Sequence, residues 1–294
     1  MRTTRREFLA ACATGAAAAA FGNRAAADDK KAAAADRNAA AGDEKKNGSD
    51  PISSGARKVP VLGLIFPPAN RGVPEEGVAM YGERLRFVVT GLGLETMTPE
   101  GYDAVIPRIP AAAEKLAAAG ADGIELTGTS LTFYKGEAFN EKLRRAVTEA
   151  SGLPATTMSN GIIDALKAVG AKRVAVATAY NDVVNDRLRA FLVEHELEPL
   201  VVTGLGIEAV ADVDKVTQND LIEFGARVRA SAPAADSLLV SCGGFRTLEI
   251  IAPLEARTHV PVISSMPHGL WAGARLVGLN GAAPGYGTLL SREA

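Results

Sequence analysis

The residue with the clearest chemical potential in this sequence is Cys242, which lies in the stretch 236–244, D-S-L-L-V-S-C-G-G. The apolar run at 238–240 predicts a buried strand. The two glycines after the cysteine predict a loop at the end of this strand. In a parallel sheet, ligands bind where strands end and helices begin, because backbone N–H groups converge there. A cysteine can also fill a core as a small apolar residue. Here the strand end and the two glycines, which permit a close approach to the backbone, favour a functional thiol in a crevice.

A second stretch of the chain resembles this one. Residues 121–130, A-D-G-I-E-L-T-G-T-S, align with residues 235–244, A-D-S-L-L-V-S-C-G-G. Two similar lobes with facing strand ends would place residues 128–130 across a cleft from Cys242, although βα units often look alike without such a relationship. Gly128 occupies the position that Cys242 has in the other copy. The repeat therefore offers one thiol where a two-fold site could hold two.

Composition excludes several functional classes. The chain has 294 residues, of which 47% are hydrophobic and 22% charged, and its formal net charge is -2. This length suits one large domain or two smaller ones, and the charge does not suggest nucleic acid as a partner. The two cysteines and three histidines show no ligand spacing, so we expect neither a metal site nor a structural disulfide. No glycine fingerprint of a nucleotide or flavin site is present.

The N-terminus predicts an export signal. Residues 4–9, T-R-R-E-F-L, resemble the twin-arginine pattern and precede an alanine-rich run and an A-x-A site ending at Ala27. We therefore predict a signal peptide at 1–27 and a periplasmic or exported protein without stable membrane association after signal removal. A lipoprotein cleaved at Cys12 is the alternative, although the run before it is short for a signal. Residues 28–56 contain almost no large apolar residue, which predicts a disordered linker.

From residue 57 onwards, short apolar runs alternate with helical patterns. Thr98 as N-cap and Pro99 as the first helical residue predict a helix that continues to about Ala119. Such an alternation predicts a parallel α/β architecture. The strand candidates are 59–66, 87–90, 123–127, 153–158, 173–179, 198–202, 238–240 and 260–264.

Residues 58–290 resemble the arylmalonate decarboxylase family, within the aspartate/glutamate racemase superfamily. The motifs that carry the resemblance are P-P (67–68), G-L-G-L (91–94), T-P-E-G-Y-D (98–103), G-T-S-L-T-F-Y (128–134), A-T-A-Y (177–180), S-C-G-G (241–244) and P-G-Y-G (284–287). The resemblance implies an α/β fold of two similar lobes, each a four-stranded parallel sheet flanked by helices, with the active site in the cleft between them. We assign residues 57–157 with 266–294 to lobe 1 and residues 158–265 to lobe 2.

The resemblance also implies cofactor-independent decarboxylation of an α-substituted malonate, such as an arylmalonate, through an enediolate. Leu94 and Met97 would form an apolar wall around the departing carboxylate. Cys242, with an ordinary or mildly raised pKa, would then protonate the carbanion on one face and give a single enantiomer. The implied carboxylate-binding residues are Thr129, Ser130, Tyr180, Gly243 and Gly244, and the further pocket residues are Pro67, Pro68, Tyr102 and Gly128.

Several alternatives remain open at this point. Thr129 and Ser130 could cap a helix, and the two tyrosines could be packed aromatic residues. Superfamily racemases and maleate isomerases use one cysteine from each lobe, because a proton must be taken from one face and returned to the other. Gly128 in place of the first cysteine argues against that chemistry. A maleate cis-trans isomerase or an amino-acid or hydantoin racemase-like enzyme is the enzymatic alternative, and an exported dicarboxylate-binding protein is the non-enzymatic one.

The expected partner is a small-molecule dicarboxylate, and the expected assembly is a monomer or small homo-oligomer. The loop after Ile207 is shorter than the family pattern, so aliphatic malonates and other dicarboxylates stay possible as substrates. We expect His268 at the surface or in a supporting position, and Trp271 in the core.

Overall fold

The first four strands of the described residues form one parallel sheet, and the next four form another. The computed structural model describes residues 58–69 and 71–292. The predicted signal peptide (1–27) and linker (28–56) lie outside the described residues. Within the described ranges, no helix is both long and apolar enough to cross a membrane.

The first sheet has the strand order β2-β1-β3-β4, with every neighbouring pair parallel. Its strands are β1 (Val61–Phe66), β2 (Arg86–Gly91), β3 (Gly123–Leu126) and β4 (Ala155–Thr157). All six residues of β1 are buried, as expected for a parallel strand with helices on both faces of its sheet.

The second sheet repeats this topology in the order β6-β5-β7-β8, again with parallel neighbours. Its strands are β5 (Arg173–Thr178), β6 (Glu198–Gly204), β7 (Ser237–Ser241) and β8 (Val262–Ser264). In both sheets the first strand lies between the second and the third. The predicted fold class, two similar four-stranded parallel lobes, is confirmed.

The α-helices of the described ranges connect and cover these strands. They are α1 (Glu75–Tyr81), α2 (Pro99–Val105), α3 (Ile109–Ala118), α4 (Thr129–Phe133), α5 (Glu137–Ser151), α6 (Met158–Ala168), α7 (Asp182–Glu194), α8 (Gln218–Ser231), α9 (Ile251–Thr258) and α10 (Ser265–Leu276). Short 3₁₀ helices occur at Gly82–Arg84, Ile106–Arg108, Val210–Lys215 and Leu248–Ile250.

Two sets of contacts tie the lobes together. Helices α6 and α10 follow the equivalent strands β4 and β8 and pack against each other. A Cβ on Gly161 of α6 would lie only 3.0 Å from the carbonyl oxygen of His268, so a glycine is needed for this close approach. Phe133 of α4 packs against Tyr180 and Phe191 of the other lobe, with ring centroids 5.8 and 6.1 Å apart.

The predicted helix from Thr98 to Ala119 begins as expected but is interrupted. The Thr98 hydroxyl accepts a hydrogen bond from the Gly101 backbone nitrogen at 3.3 Å, and Pro99 is the first helical residue. A 3₁₀ turn containing Pro107 then separates α2 from α3, because proline lacks the N–H that a continuous helix needs. Helix α1 was not predicted, since its surroundings are rich in glycine and proline.

Candidate active site

Cys242 directly follows β7 and lies in the cleft between the lobes. Its side chain is buried, and the backbone N–H groups of Gly244 and Phe245 point at its sulfur. Burial raises the thiol pKa to about 11, while these N–H groups and the charge of Arg71 act in the opposite direction. The thiol is therefore protonated at neutral pH. The sequence predicted an ordinary or mildly raised pKa for Cys242. The pKa in the structure is raised, and by more than that prediction.

Gly128 and the short helix α4 lie opposite this thiol. A Cβ on Gly243 would be 3.9 Å from the backbone nitrogen of Gly128, so the two loops meet backbone to backbone. Gly128 has a φ of 90°, and a Cβ there would lie 2.2 Å from Cγ of Pro67. Any larger residue at position 128 therefore requires Pro67 to move.

Thr129 and Ser130 do not cap α4. The N-cap is Gly128, and no side chain caps this helix. Instead, the Thr129 hydroxyl donates a hydrogen bond to Oγ of Ser265, the first residue of α10, at 2.8 Å. Both Thr129 and Ser130 are buried and line the cleft. The capping alternative is therefore wrong. The Thr129 hydroxyl can donate to a ligand when it turns away from Ser265, whose own hydroxyl can then donate to Thr129.

Tyr180 follows β5 and contributes a third hydroxyl group to the same cleft. Its oxygen lies 3.3 Å from Oγ of Ser241. Burial raises the pKa of Tyr180 well above its usual value, and the nearby Cys242 adds to this effect. The hydroxyl is therefore a neutral hydrogen-bond donor.

The apolar side of the cleft is built where two loops of different lobes pair. The Met97 nitrogen donates to the Glu208 carbonyl oxygen at 2.7 Å, and the Val210 nitrogen donates to the Glu95 carbonyl oxygen at 3.0 Å. Leu94 is fixed by its own nitrogen, which donates to the Pro67 carbonyl oxygen at 2.7 Å. These bonds hold buried apolar side chains of both lobes against one another.

The cleft brings together nearly all the predicted site residues. Its space, including the open mouth, is about 490 Å³. The predicted residues that line it are Pro67, Pro68, Leu94, Met97, Gly128, Thr129, Ser130, Tyr180, Cys242, Gly243 and Gly244. The lining residues that were not predicted are Phe66, Arg71, Thr127, Val210, Val213 and Met266.

Tyr102 is the predicted pocket residue that does not line this cleft. It is fully buried, and its ring lies 4.9 Å from that of Tyr134. Its hydroxyl is buried without a hydrogen-bond partner among residues 58–69 and 71–292, and burial raises its pKa above the usual value. Ser130 lowers and Cys242 raises the pKa of this hydroxyl, so Tyr102 packs behind the cleft wall with its hydroxyl beside these two cleft residues.

His268 is not at the surface, so that part of the expectation is wrong. Its side chain is fully buried because α10 begins at Ser265 rather than near Gly269. The ring Nδ1 lies 3.0 Å from the backbone nitrogen of Ser264. Burial lowers the pKa of His268 to about 4, so its imidazole is neutral. Trp271 is buried, as predicted.

Two further polar residues reach the cleft or its loops. Arg71 follows β1 and lines the mouth, with Nη2 3.6 Å from Oδ1 of Asp214 in the other lobe. The Glu76 side chain of α1 accepts hydrogen bonds from the backbone nitrogens of Thr247 and Leu248, just beyond the Cys242 loop. In the described part of the chain, no three His, Cys, Asp or Glu side chains cluster as a metal site.

Known proteins are similar to this chain in sequence and fold. Residues 62–290 match the family model described as arylmalonate decarboxylase. A relative from Bordetella bronchiseptica, named arylmalonate decarboxylase, is 47% identical over 235 residues, which cover 80% of this chain and 98% of the relative. The chain belongs to the arylmalonate decarboxylase family. Membership confirms the resemblance seen in the sequence and the predicted enzyme class, a carboxy-lyase.

Solved structures agree with the fold of this arylmalonate decarboxylase family member. A liganded variant of arylmalonate decarboxylase, with one glycine changed to cysteine and one cysteine to serine, superposes with a TM-score of 0.77 and 46% identity. The superposition covers 79% of this chain and 99% of the chain of that variant. The maleate isomerase from Pseudomonas putida S16 superposes with a TM-score of 0.72 and 25% identity, covering 81% of this chain and 100% of that chain.

Proposed function

We propose that this enzyme decarboxylates α-substituted malonates, arylmalonates among them, without a cofactor, and that Cys242 is its proton donor. The observation that carries the proposal is the buried, protonated thiol of Cys242 facing Gly128 and the hydroxyl groups of Thr129 and Ser130. The cleft thus offers one acid on one side and a set of neutral hydrogen-bond donors on the other.

The donors are suited to the charge that develops during the reaction. One substrate carboxylate would accept hydrogen bonds from Thr129, Ser130, Tyr180 and the backbone of Gly243. As the bond to the second carboxylate breaks, its electron pair moves into the retained group and forms an enediolate. Donors that are already in place stabilise this dianion more than the starting anion, as in an oxyanion hole.

The departing carboxylate would lie against Leu94, Met97 and the valines at positions 210 and 213. An apolar surface solvates a carboxylate poorly and neutral CO2 well, so it favours departure. Cys242 then gives its S–H proton to the α-carbon, and the resulting thiolate regains a proton from solvent. Because the thiol approaches from one side, a malonate whose α-carbon carries two different substituents gives a single enantiomer.

Chemistry with two thiols is not favoured. Among the described residues Cys242 is the one cysteine, and it is not in a disulfide. Gly128 occupies the equivalent position on the facing loop. A side chain there would require Pro67 to move.

Release of CO2 from phenylmalonate tests this proposal. We expect turnover by the purified chain that persists in EDTA and is lost in Cys242→Ala. Equal turnover by Cys242→Ala would refute Cys242 as the donor, and inhibition by EDTA that added metal reverses would refute cofactor independence.

We also propose export through the twin-arginine pathway, supported by the T-R-R-E-F-L motif. Replacing Arg5 and Arg6 by lysine should leave the enzyme in the cytoplasm, which fractionation of cells expressing the full chain would reveal. Unchanged export would contradict this route.

A further inference from the structure

Arg71 is a charged residue in the cleft to which the proposed decarboxylation gives no task. It lines the same space as Cys242 and Gly244, and its side chain is one-third exposed at the mouth. A Cβ on Gly244 would lie 3.2 Å from Nη2 of Arg71, so the guanidinium reaches the loop that carries the thiol. Its ion-pair partner, Asp214, belongs to the opposite lobe and is 68% exposed.

A second cavity continues from the cleft beyond Arg71. It occupies about 1060 Å³ including its open mouth, roughly twice the space of the first. The two cavities share Phe66, Arg71, Gly243, Gly244 and Met266. A substituent that leaves the cleft on this side must therefore pass the guanidinium of Arg71.

Each acidic side chain that lines the second cavity has a hydrogen-bond or ion-pair partner, although the partner of Glu249 is neutral and leaves that carboxylate its charge. Glu75 lies 3.1 Å from Nη1 of Arg246, Gln218 donates to Glu249 at 2.9 Å, and Glu76 accepts two backbone hydrogen bonds. Asp214 meets Arg71 in solvent, where an ion pair contributes little free energy. A ligand can therefore displace Asp214 at small cost.

The two malonate carboxylates are poor candidates for Arg71. The retained carboxylate has its own donors in Thr129, Ser130 and Tyr180. A guanidinium on the departing carboxylate would stabilise the charged ground state more than neutral CO2 and slow the reaction. The part of the substrate left for Arg71 is the outer end of the α-substituent.

We propose that Arg71 is a specificity-determining residue that binds an anionic group on the α-substituent. The preferred substrates would be malonates whose substituent ends in a further carboxylate or a similar anion. A planar guanidinium binds a carboxylate through two parallel hydrogen bonds, and a bound substrate would exchange Asp214 for its own anion. This inference rests on the proposed decarboxylation and specifies its substrate class.

The test compares kcat/KM for phenylmalonate and (4-carboxyphenyl)malonate. We expect the enzyme to prefer the carboxylated compound, and Arg71→Gln to reduce this preference at least about tenfold, mainly through KM. Arg71→Lys should keep part of the preference, and Asp214→Asn should increase it because the competing carboxylate is gone. Rising salt concentration should weaken the preference.

Arg257→Gln is the matched control, because Arg257 is an exposed arginine that pairs with Glu223 and does not line the cleft. It should leave the preference unchanged. The inference is overturned if Arg71→Gln decarboxylates phenylmalonate and retains the preference of the unchanged enzyme, or if the unchanged enzyme shows no preference. Absence of CO2 from both compounds would contradict the decarboxylation itself, and the inference with it.

Discussion

Glu76 and Thr247 connect the two lobes beside the Cys242 loop: Oε1 of Glu76 lies 2.8 Å from the backbone nitrogen of Thr247. The same oxygen accepts a second hydrogen bond from the nitrogen of Leu248 at 2.9 Å. Glu76 belongs to α1 in the first lobe, whereas Thr247 follows the Cys242 loop in the second. One oxygen of the Glu76 side chain thus fixes the segment after the thiol relative to the first lobe.

We predict that Glu76→Ala lowers kcat about tenfold or more, because two buried N–H groups lose their acceptor and the loop that carries Cys242 shifts. Glu76→Gln should retain most of the activity, since its amide oxygen can accept both bonds. Steady-state kinetics with phenylmalonate provides the comparison. Equal rates for the two variants would show that the acceptor is not needed.

Glu125 makes stability depend on pH. Its side chain is fully buried in β3, and neither carboxylate oxygen has a hydrogen-bond partner among the described residues. Burial raises its pKa to about 8, from 4.5. The folded protein therefore keeps a proton that the unfolded chain loses, and this contribution to stability declines as pH rises from 4.5 to 8.

Glu125→Gln keeps the shape and cannot ionise. Its free energy of unfolding relative to the unchanged protein should increase by about 1.4 kcal/mol per pH unit across that interval and then level off. Denaturant titrations at several pH values measure this difference. Glu149→Gln, at an exposed position of α5, is the control, and a difference for Glu125→Gln that does not vary with pH would contradict the prediction.

The buried thiol of Cys242 should react slowly with alkylating agents. Because its pKa is raised to about 11, the thiolate is scarce at neutral pH, and the rate with iodoacetamide should rise tenfold per pH unit up to about pH 10. Mass spectrometry of the modified peptide follows this reaction. A rate that is already constant above pH 8 would show a thiolate at rest, which is unsuited to an acid.

The Thr129 hydroxyl should contribute to the transition state. Thr129→Val keeps the shape and removes the donor, so kcat should fall by about 10²–10³. Ser265→Ala should cost less, because Ser265 acts through its hydrogen bond with Thr129. Thr129→Ser, which restores the hydroxyl, is the matching control, and a normal kcat for Thr129→Val would remove this hydroxyl from the mechanism.

The sequence predicted the strands and the opposition of Gly128 and Cys242, because apolar runs with turn residues and an internal repeat are local signals. The Thr98 N-cap was predicted from an equally local signal, a threonine followed by a proline. Long-range contacts have no such local signal. Glu76 accepts a hydrogen bond from the backbone nitrogen of Thr247, 171 residues along the chain, and Arg71 forms an ion pair with Asp214 of the other lobe. His268 was misjudged because the pattern before Gly269 does not show that α10 starts at Ser265.

The most direct test of the account is the decarboxylation of methyl-phenylmalonate in D2O, with chiral analysis and mass spectrometry of the product. We predict one enantiomer carrying one deuterium at the α-carbon, formed by the unchanged enzyme and at least about a hundredfold more slowly by Cys242→Ser. A racemic product, or the same enantiomer formed at an unchanged rate by Cys242→Ser, would contradict a single cysteine as proton donor.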